Sequence, residues 1–460
     1  MGDNNSVRRR IACLRIANPD APACGLNSSL LPGVRSGKWH PVKAGPESTK
    51  EFRMKTLLRL TLSSGMALAW GAASFGQHYT QTNLVANTPG VAPVTDPQLV
   101  NPWGISRGSG SPWWVSDNGT GVSTLYNGAG AKQSLIVTIP PSNPNNKKTP
   151  LGTPTGTIAN GSTTDFLLAP KMPAAFLFST LDGTIAGWNP GIALAPGATP
   201  PSTHAVTTAR GAAGSSYTGL TSAFINGRSY LYAANFTKGR VDVYDNAFHP
   251  VTLPRIQSHG NPHDDFAFDE DRGRDDDRPF VDERLPRDFV PFNVQAIGND
   301  IVVTYVLLKD GAQFETDGPG LGYVDIYSSS GRLLRRLEHG DWLNAPWGVA
   351  LAPLDFGRFS HDLLIAQFAG GGTTQSSGFI AAYDLSTGKL DGLLQDASGN
   401  TLAINGVWAI SPGNVSPANN DAAGAPGAEL YFTALKNKGT GGLFGYISAA
   451  STDLIKGNNQ

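Results

Sequence analysis

Cysteine is nearly missing from this 460-residue chain: there are two, Cys13 and Cys24, both within the first 53 residues. From residue 54 onward no disulfide is possible, so stability there has to come from a buried core. Charge is sparse as well, at 15% Asp, Glu, Lys and Arg. No phosphate loop of the G-x-x-x-x-G-K-[ST] type occurs, and no nucleophile stands beside a recognisable base, so nucleotide-binding and triad-hydrolase templates have no foothold. The chain ends in the polar LIKGNNQ, with no apolar run near it long enough to span a bilayer.

What the chain has in abundance is turn formers: 55 Gly and 33 Pro. They suit many short strands joined by tight turns in one large domain. The first 76 residues stand apart from that domain. Met54 opens MKTLLRLTLSSGMALAWGAASFG, a positive start at Lys55 and Arg59, an apolar stretch from Leu60 to Trp70, then small residues. This is the layout of a secretory signal peptide, with cleavage expected near Ser74 or Gly76. Residues 1–53 then read as a misassigned or disordered extension upstream of the true start at Met54. Residues 77–460 retain 24 basic side chains (35 less 11) and 32 acidic ones (36 less 4), about −8 in net charge. An acidic body disfavours nucleic acid, whose phosphates need clustered Lys and Arg. The expectation is a secreted or periplasmic monomer with no membrane span once the leader is removed.

Six segments of residues 77–460 can be laid over one another, starting at Pro102, Pro154, Tyr217, Val290, Asn344 and Ile404. Each has a turn bearing Gly or Asn, an apolar strand, and a second strand with aromatic and β-branched alternation (WWVS, FLFST, YLYAAN, VVTYV, LLIAQ, LYFTA). A Gly-bearing turn and a third strand follow, closing near Tyr126, Trp188, Tyr244, Tyr327, Tyr383 or Tyr446. The spacing fits four-stranded blades, and the fold class is all-β: a six-bladed β-propeller of four-stranded antiparallel blades. The strand-like HYTQTNLVAN from His78 has no unit of its own and should pair with the last blade to close the ring. The charged insert at 263–288 is too polar to pack and reads as an excursion at one face.

LVNPWGIS, PWWVSDNGTGVSTLYNG, FVDERLPRDFVPFNVQ and LLIAQFAGG with GFIAAYD resemble an uncharacterised family of exported bacterial β-propeller proteins, some of which end in a PEP-CTERM sorting tail. The resemblance covers nearly all of Asn83 to Ser448. This chain lacks the tail and carries an Asp/Arg-rich insert, and the family implies no activity. More distantly, the strand–DNG–strand units resemble NHL-type repeats, whose propellers serve mostly as binding platforms.

A looser likeness to gluconolactonase-type six-bladed propellers implies a divalent cation such as Ca2+ in the central channel. Oxygen ligands suit such an ion, and it would polarise a lactone carbonyl or activate water. The positions that match are Asn101, Asn293, Asn344 and Asn405 in the turns that start blades, and Asp117, Asn118, Asp182 and Asn235 where second strands end. The same residue types also cap turns and tolerate left-handed backbone. His259 and His263, beside Asp264 and Asp265, have the chemistry of transition-metal ligands, but Gly, Asn and Pro between them forbid a helix and favour a solvated loop. Trp103, Trp113, Trp114, Trp188, Trp347 and Trp408 could line a carbohydrate platform, although the recurrence of Trp103, Trp347 and Trp408 where blades start argues for packing between blades. Two functions remain: a scaffold outside the cytoplasm that binds a protein, glycan or small ligand, and a metal-dependent hydrolase or lactonase.

Overall fold

A computed structural model describes residues 77–147, 150–256, 278–369, 377–413, 428–435 and 441–450. The leader, residues 1–53, His259, His263 and residues 263–277 of the charged insert lie outside the described residues.

Six antiparallel sheets are arranged as a six-bladed propeller. From the axis outward, blade 1 holds Pro102–Ser106, Trp113–Asp117, Val122–Tyr126 and Val137–Thr138. Blade 2 holds Pro154–Ala159, Phe176–Thr180, Thr184–Trp188 and Val206–Arg210. Blade 3 holds Tyr217–Ile225, Arg228–Asn235, Arg240–Asp245 and Pro250–Val251. Blade 4 holds Phe289–Ile297, Asp300–Leu307, Gly322–Ser328 and Leu333–Arg336. Blade 5 holds Pro346–Leu351, Leu363–Gln367, Ile380–Tyr383 and Leu390–Leu393. Blade 6 begins with Val407–Pro412, Leu430–Ala434 and Leu443–Ala449. Its fourth strand is Tyr79–Ala86 from the other end of the domain, antiparallel to Leu443–Ala449, with the two-residue Val94–Thr95 paired parallel on its outer side. The ring therefore closes as the unpartnered HYTQTNLVAN segment requires, and the last blade gains an edge that one chain end alone would leave open.

The second strands are buried along most of their length because both faces of each blade pack on a neighbour. Trp114 of blade 1 stacks on Phe176 of blade 2 at 4.1 Å between ring centres, and Trp113 on its other face lies 4.6 Å from Tyr431 of blade 6. The last part of the charged insert joins this core: Phe280 is buried between Tyr232 of blade 3 and Tyr327 of blade 4. One aromatic side chain in a polar stretch is enough to anchor it, which composition averaged over 263–288 hides.

At the axis the inner strands meet almost backbone to backbone. A Cβ on Gly104 would lie 2.6 Å from the Thr155 carbonyl oxygen, one on Gly156 2.5 Å from the Leu220 amide, and one on Gly348 2.4 Å from the Trp408 carbonyl oxygen. Blade 4 replaces this glycine with Asn293, whose Nδ2 donates to the Trp347 carbonyl at 2.7 Å and whose side chain fills the space over Gly219. Gly156→Ala forces backbone apart in two blades and should cost about 1–3 kcal/mol. Gly161→Ala, with open space around it, is the control. Thermal or denaturant unfolding of the two variants measures the difference, and equal midpoints would contradict close backbone packing at the axis.

Candidate functional site

In all six blades the register between the first and second strand slips at the same place. The inner strand carries one extra residue, between Pro102 and Ile105, Pro154 and Thr157, Tyr217 and Gly219, Pro291 and Asn293, Pro346 and Gly348, and Val407 and Ile410. A β-bulge re-aims the side chain it carries. Here it turns Trp103, Phe292, Trp347 and Trp408 out of the blade faces and into the end of the central channel. Trp103 stacks on Trp408 at 3.8 Å, Trp408 on Phe368 at 4.1 Å, and Trp347 meets both Trp103 and Trp408 edge-on. Phe292, from the blade opposite blade 1, touches Trp103 and Trp408. These tryptophans thus pack between blades, as their recurrence where blades start predicts: Trp103 and Trp347 each meet Trp408 across a neighbouring seam, while Trp103 also reaches Trp347 and Phe292 across the axis. Strict alternation assumes a regular strand, and the bulge breaks it.

The second strands end at the same face, and the residue just beyond the bulge-paired position forms a ring of its own. Its members are Asn118, Leu181, Phe236, Val306, Phe368 and Leu435. Their backbone amides, Val306 apart, donate to Asn101, Thr153, Ser216, Ala345 and Gly406 in the turns that start the blades. The five apolar members pack against the tryptophan cluster. Leu181, Phe368 and Leu435 are half-buried, so the mouth presents an apolar, partly aromatic floor. This ring was legible in FLFSTL, YLYAANF, LLIAQF and LYFTAL had the column after each second strand been compared.

Glu315 lies on the same face, in the turn after the second strand of blade 4. Two hydrogen bonds shape that turn, Thr316 N–H to the Leu307 carbonyl and Gly318 N–H to Asn344 Oδ1, both 2.8 Å. Burial, with Asp317 adding to it, pushes the half-buried Glu315 carboxyl up to about 7. A carboxyl near neutrality can give or take a proton beside an apolar surface, a pairing general acid–base chemistry uses.

Of the eight Asn and Asp residues singled out in the sequence, the structure joins the side chains of one pair, Asn101 and Asn118. Asn101, in left-handed backbone at φ 48°, donates from Nδ2 to Asn118 Oδ1 at 3.3 Å and accepts from Trp408 Nε1 at 3.2 Å. Asp117 and Asn235 occupy the same register at the ends of their second strands, paired with Pro102 and Tyr217, but in separate blades. Asn235 donates to Ser215 and Asp242, and Asn118 to the Pro154 carbonyl. Asp182 accepts from the Ser142 amide and the Thr180 hydroxyl. Asn344 is buried, and Asn405 is exposed in a short pairing with Ser377–Gly378.

Asn293 alone of the eight lines the channel, together with Gly104, Gly156, Thr157, Gln295 and Gly348. The space there is about 20 Å³, room for about one water. These groups do not assemble the six to eight oxygen ligands of a calcium ion. Among the described residues no three of His, Cys, Asp and Glu stand together as a metal-binding group. The string Gly104-Ile105-Ser106-Arg107-Gly108 spells a nucleophile elbow, but Ser106 ends an inner strand and its hydroxyl accepts the Ala159 amide at 2.8 Å. It lacks the strand-to-helix turn that exposes such a serine.

A carboxyl raised by burial stabilises the fold below its ordinary range and loses that contribution as pH rises through its folded value. Glu315→Gln should therefore match the wild-type melting temperature near pH 4 and exceed it increasingly up to about pH 7. Melting curves across that range check this; a constant offset at every pH would contradict it.

No family model matches the chain. It is 31% identical over 245 residues to uncharacterized protein R640 of Acanthamoeba polyphaga mimivirus, a match covering 53% of this chain and 39% of that protein. It is 26% identical over 371 residues to uncharacterized protein R648 of the same virus, covering 79% and 78%. Among solved structures it is similar to a streptogramin B lyase (TM-score 0.39, 10% identity, covering 81% of this chain and 98% of that one). It is also similar to the PQQ-bound aldose sugar dehydrogenase of Streptomyces coelicolor (TM-score 0.42, 11% identity, covering 82% and 99%).

Proposed function

We propose that this chain is an exported six-bladed propeller that works outside the cytoplasm as a binding scaffold, taking a protein, glycan or small ligand on the face where the second strands end. The observation that carries the reading is the register-matched ring of Leu181, Phe236, Val306, Phe368 and Leu435 over the stacked tryptophans. Five blades place an apolar side chain at one position, where a solvated rim would suit a monomer better. Contiguous apolar surface with aromatic anchors and polar neighbours is the composition of recognition sites. Asn101, Asn118 and Glu315 supply those polar neighbours. The leader-like segment from Met54 to Gly76 supports the location, as does the likeness of the blade motifs to exported bacterial propellers.

Two measurements test this. An environment-sensitive apolar dye should bind the wild-type, and the double variant Leu181→Asp/Leu435→Asp should weaken it at least tenfold, about 1.4 kcal/mol. Leu334→Asp, an exposed leucine on the outer strand of blade 4, should leave binding unchanged. Equal loss in both variants would sink the assignment to this face. Expressed from Met54 in a bacterium, the chain should be recovered outside the cytoplasm with a new N-terminus just after Ser74 or Gly76. An intact cytoplasmic chain would refute export.

A further inference from the structure

Asp117 sits on the face of blade 1 that packs against blade 6, with the same orientation as Trp113 and Val115. Its carboxyl is fully buried. Oδ2 accepts the Thr124 amide at 3.0 Å and the Thr124 hydroxyl at 2.7 Å, while Oδ1, also buried, has no partner among the described residues. A second carboxyl shares the seam. Asp96 lies on the segment leading from the ring-closing strand into blade 1, and it too is buried. Asp96 accepts the Tyr126 hydroxyl at 2.6 Å, Lys132 Nζ at 2.8 Å and the Gln98 amide at 3.0 Å. Two buried carboxyls thus face one ammonium group, and that group is committed to Asp96.

We propose that Asp117 is held as the neutral acid, its proton on Oδ1, and that the absence of charge there keeps the seam between blade 1 and the ring-closing blade 6 latched. An ionised Asp117 would leave an unpaired negative oxygen buried beside Asp96, a cost the seam escapes by opening. The titratable groups facing Asp117 are Asp96, Tyr126 and Lys132. Blade 6 presents Phe444 and Tyr431, whose hydroxyl donates to the Gly128 carbonyl at 2.9 Å. Lys132 therefore supplies the cationic charge that acts on Asp117, Arg107 lying farther along the seam over Trp113, and burial outweighs it in raising the Asp117 carboxyl well above the usual range. The latch holds on the acid side and weakens as pH rises toward the folded value. It acts against blade 6, the one sheet completed by both ends of the domain, where Tyr79–Ala86 pairs with Leu443–Ala449.

The test is hydrogen exchange of residues 77–460, corrected for the intrinsic pH dependence of amide exchange, followed at Tyr79–Ala86 and Leu443–Ala449. From about pH 5 to pH 8, wild-type protection in these strands should fall by up to about tenfold per pH unit. In Asp117→Asn the profile should be flat; Asn235 at the same register of blade 3 shows that the amide fits such a position. Thr124→Val, which removes one hydrogen bond to Oδ2, should extend the wild-type decline to higher pH, and it serves if Asp117→Asn does not fold. A flat wild-type profile, a decline that persists in Asp117→Asn, or an unshifted decline in Thr124→Val would each overturn the latch.

Discussion

Backbone meets backbone where the six inner strands approach the axis, and the rest of the molecule follows from that closeness. Gly104, Gly156, Gly219 and Gly348 leave no room for a side chain, and Asn293 makes its single exception useful by bonding the Trp347 carbonyl. Because the channel is this narrow, the blades fan out in contact with one another and bury both faces of their second strands. A wider ring would need side chains to fill it, and small residues would have no reason to recur after Trp103, Thr155, Thr218, Trp347 and Trp408.

The same crowding explains the mouth. One extra residue in each inner strand relieves the approach to the axis, and the bulge it creates turns a side chain along the axis instead of across the blade. Four of those six residues are aromatic, so the channel ends in stacked and edge-on rings. The residues that complete the floor come from a different strand and share its register. The surface is thus a product of ring geometry, with every blade contributing, and its loss through any one substitution is partial. Glu315 differs in being peculiar to one blade, which makes it the most individual group on this face.

Polar groups buried between blades follow a different logic. Asp325 and Asp282 share Arg336 at 2.8 and 2.6 Å, and Asp242 collects Asn235, Tyr217 and Arg240, so these carboxylates are matched by donors. Asp117 is not matched in this way. The asymmetry falls at the seam between blade 1 and the blade that both ends of the domain complete, where a conditional contact bears on the closure of the ring.

Several features were legible in the residues alone. The recurrence of second-strand runs with a Gly-bearing turn determined six blades, and the orphan strand from His78 determined how they close, because alternation and turn chemistry are local. The turn-capping use of Asn101 was also a local property. Three-dimensional packing decided which of the eight Asn and Asp residues meet: even Asp117 and Asn235, at one register position, belong to separate blades, so sequence likeness between blades did not bring them to one point. It also decided where the tryptophans go, since a single-residue bulge reverses the parity on which strand reading depends. The burial of Phe280 and the unpaired oxygen of Asp117 likewise arise only from neighbours distant in the chain, whose approach no local pattern encodes.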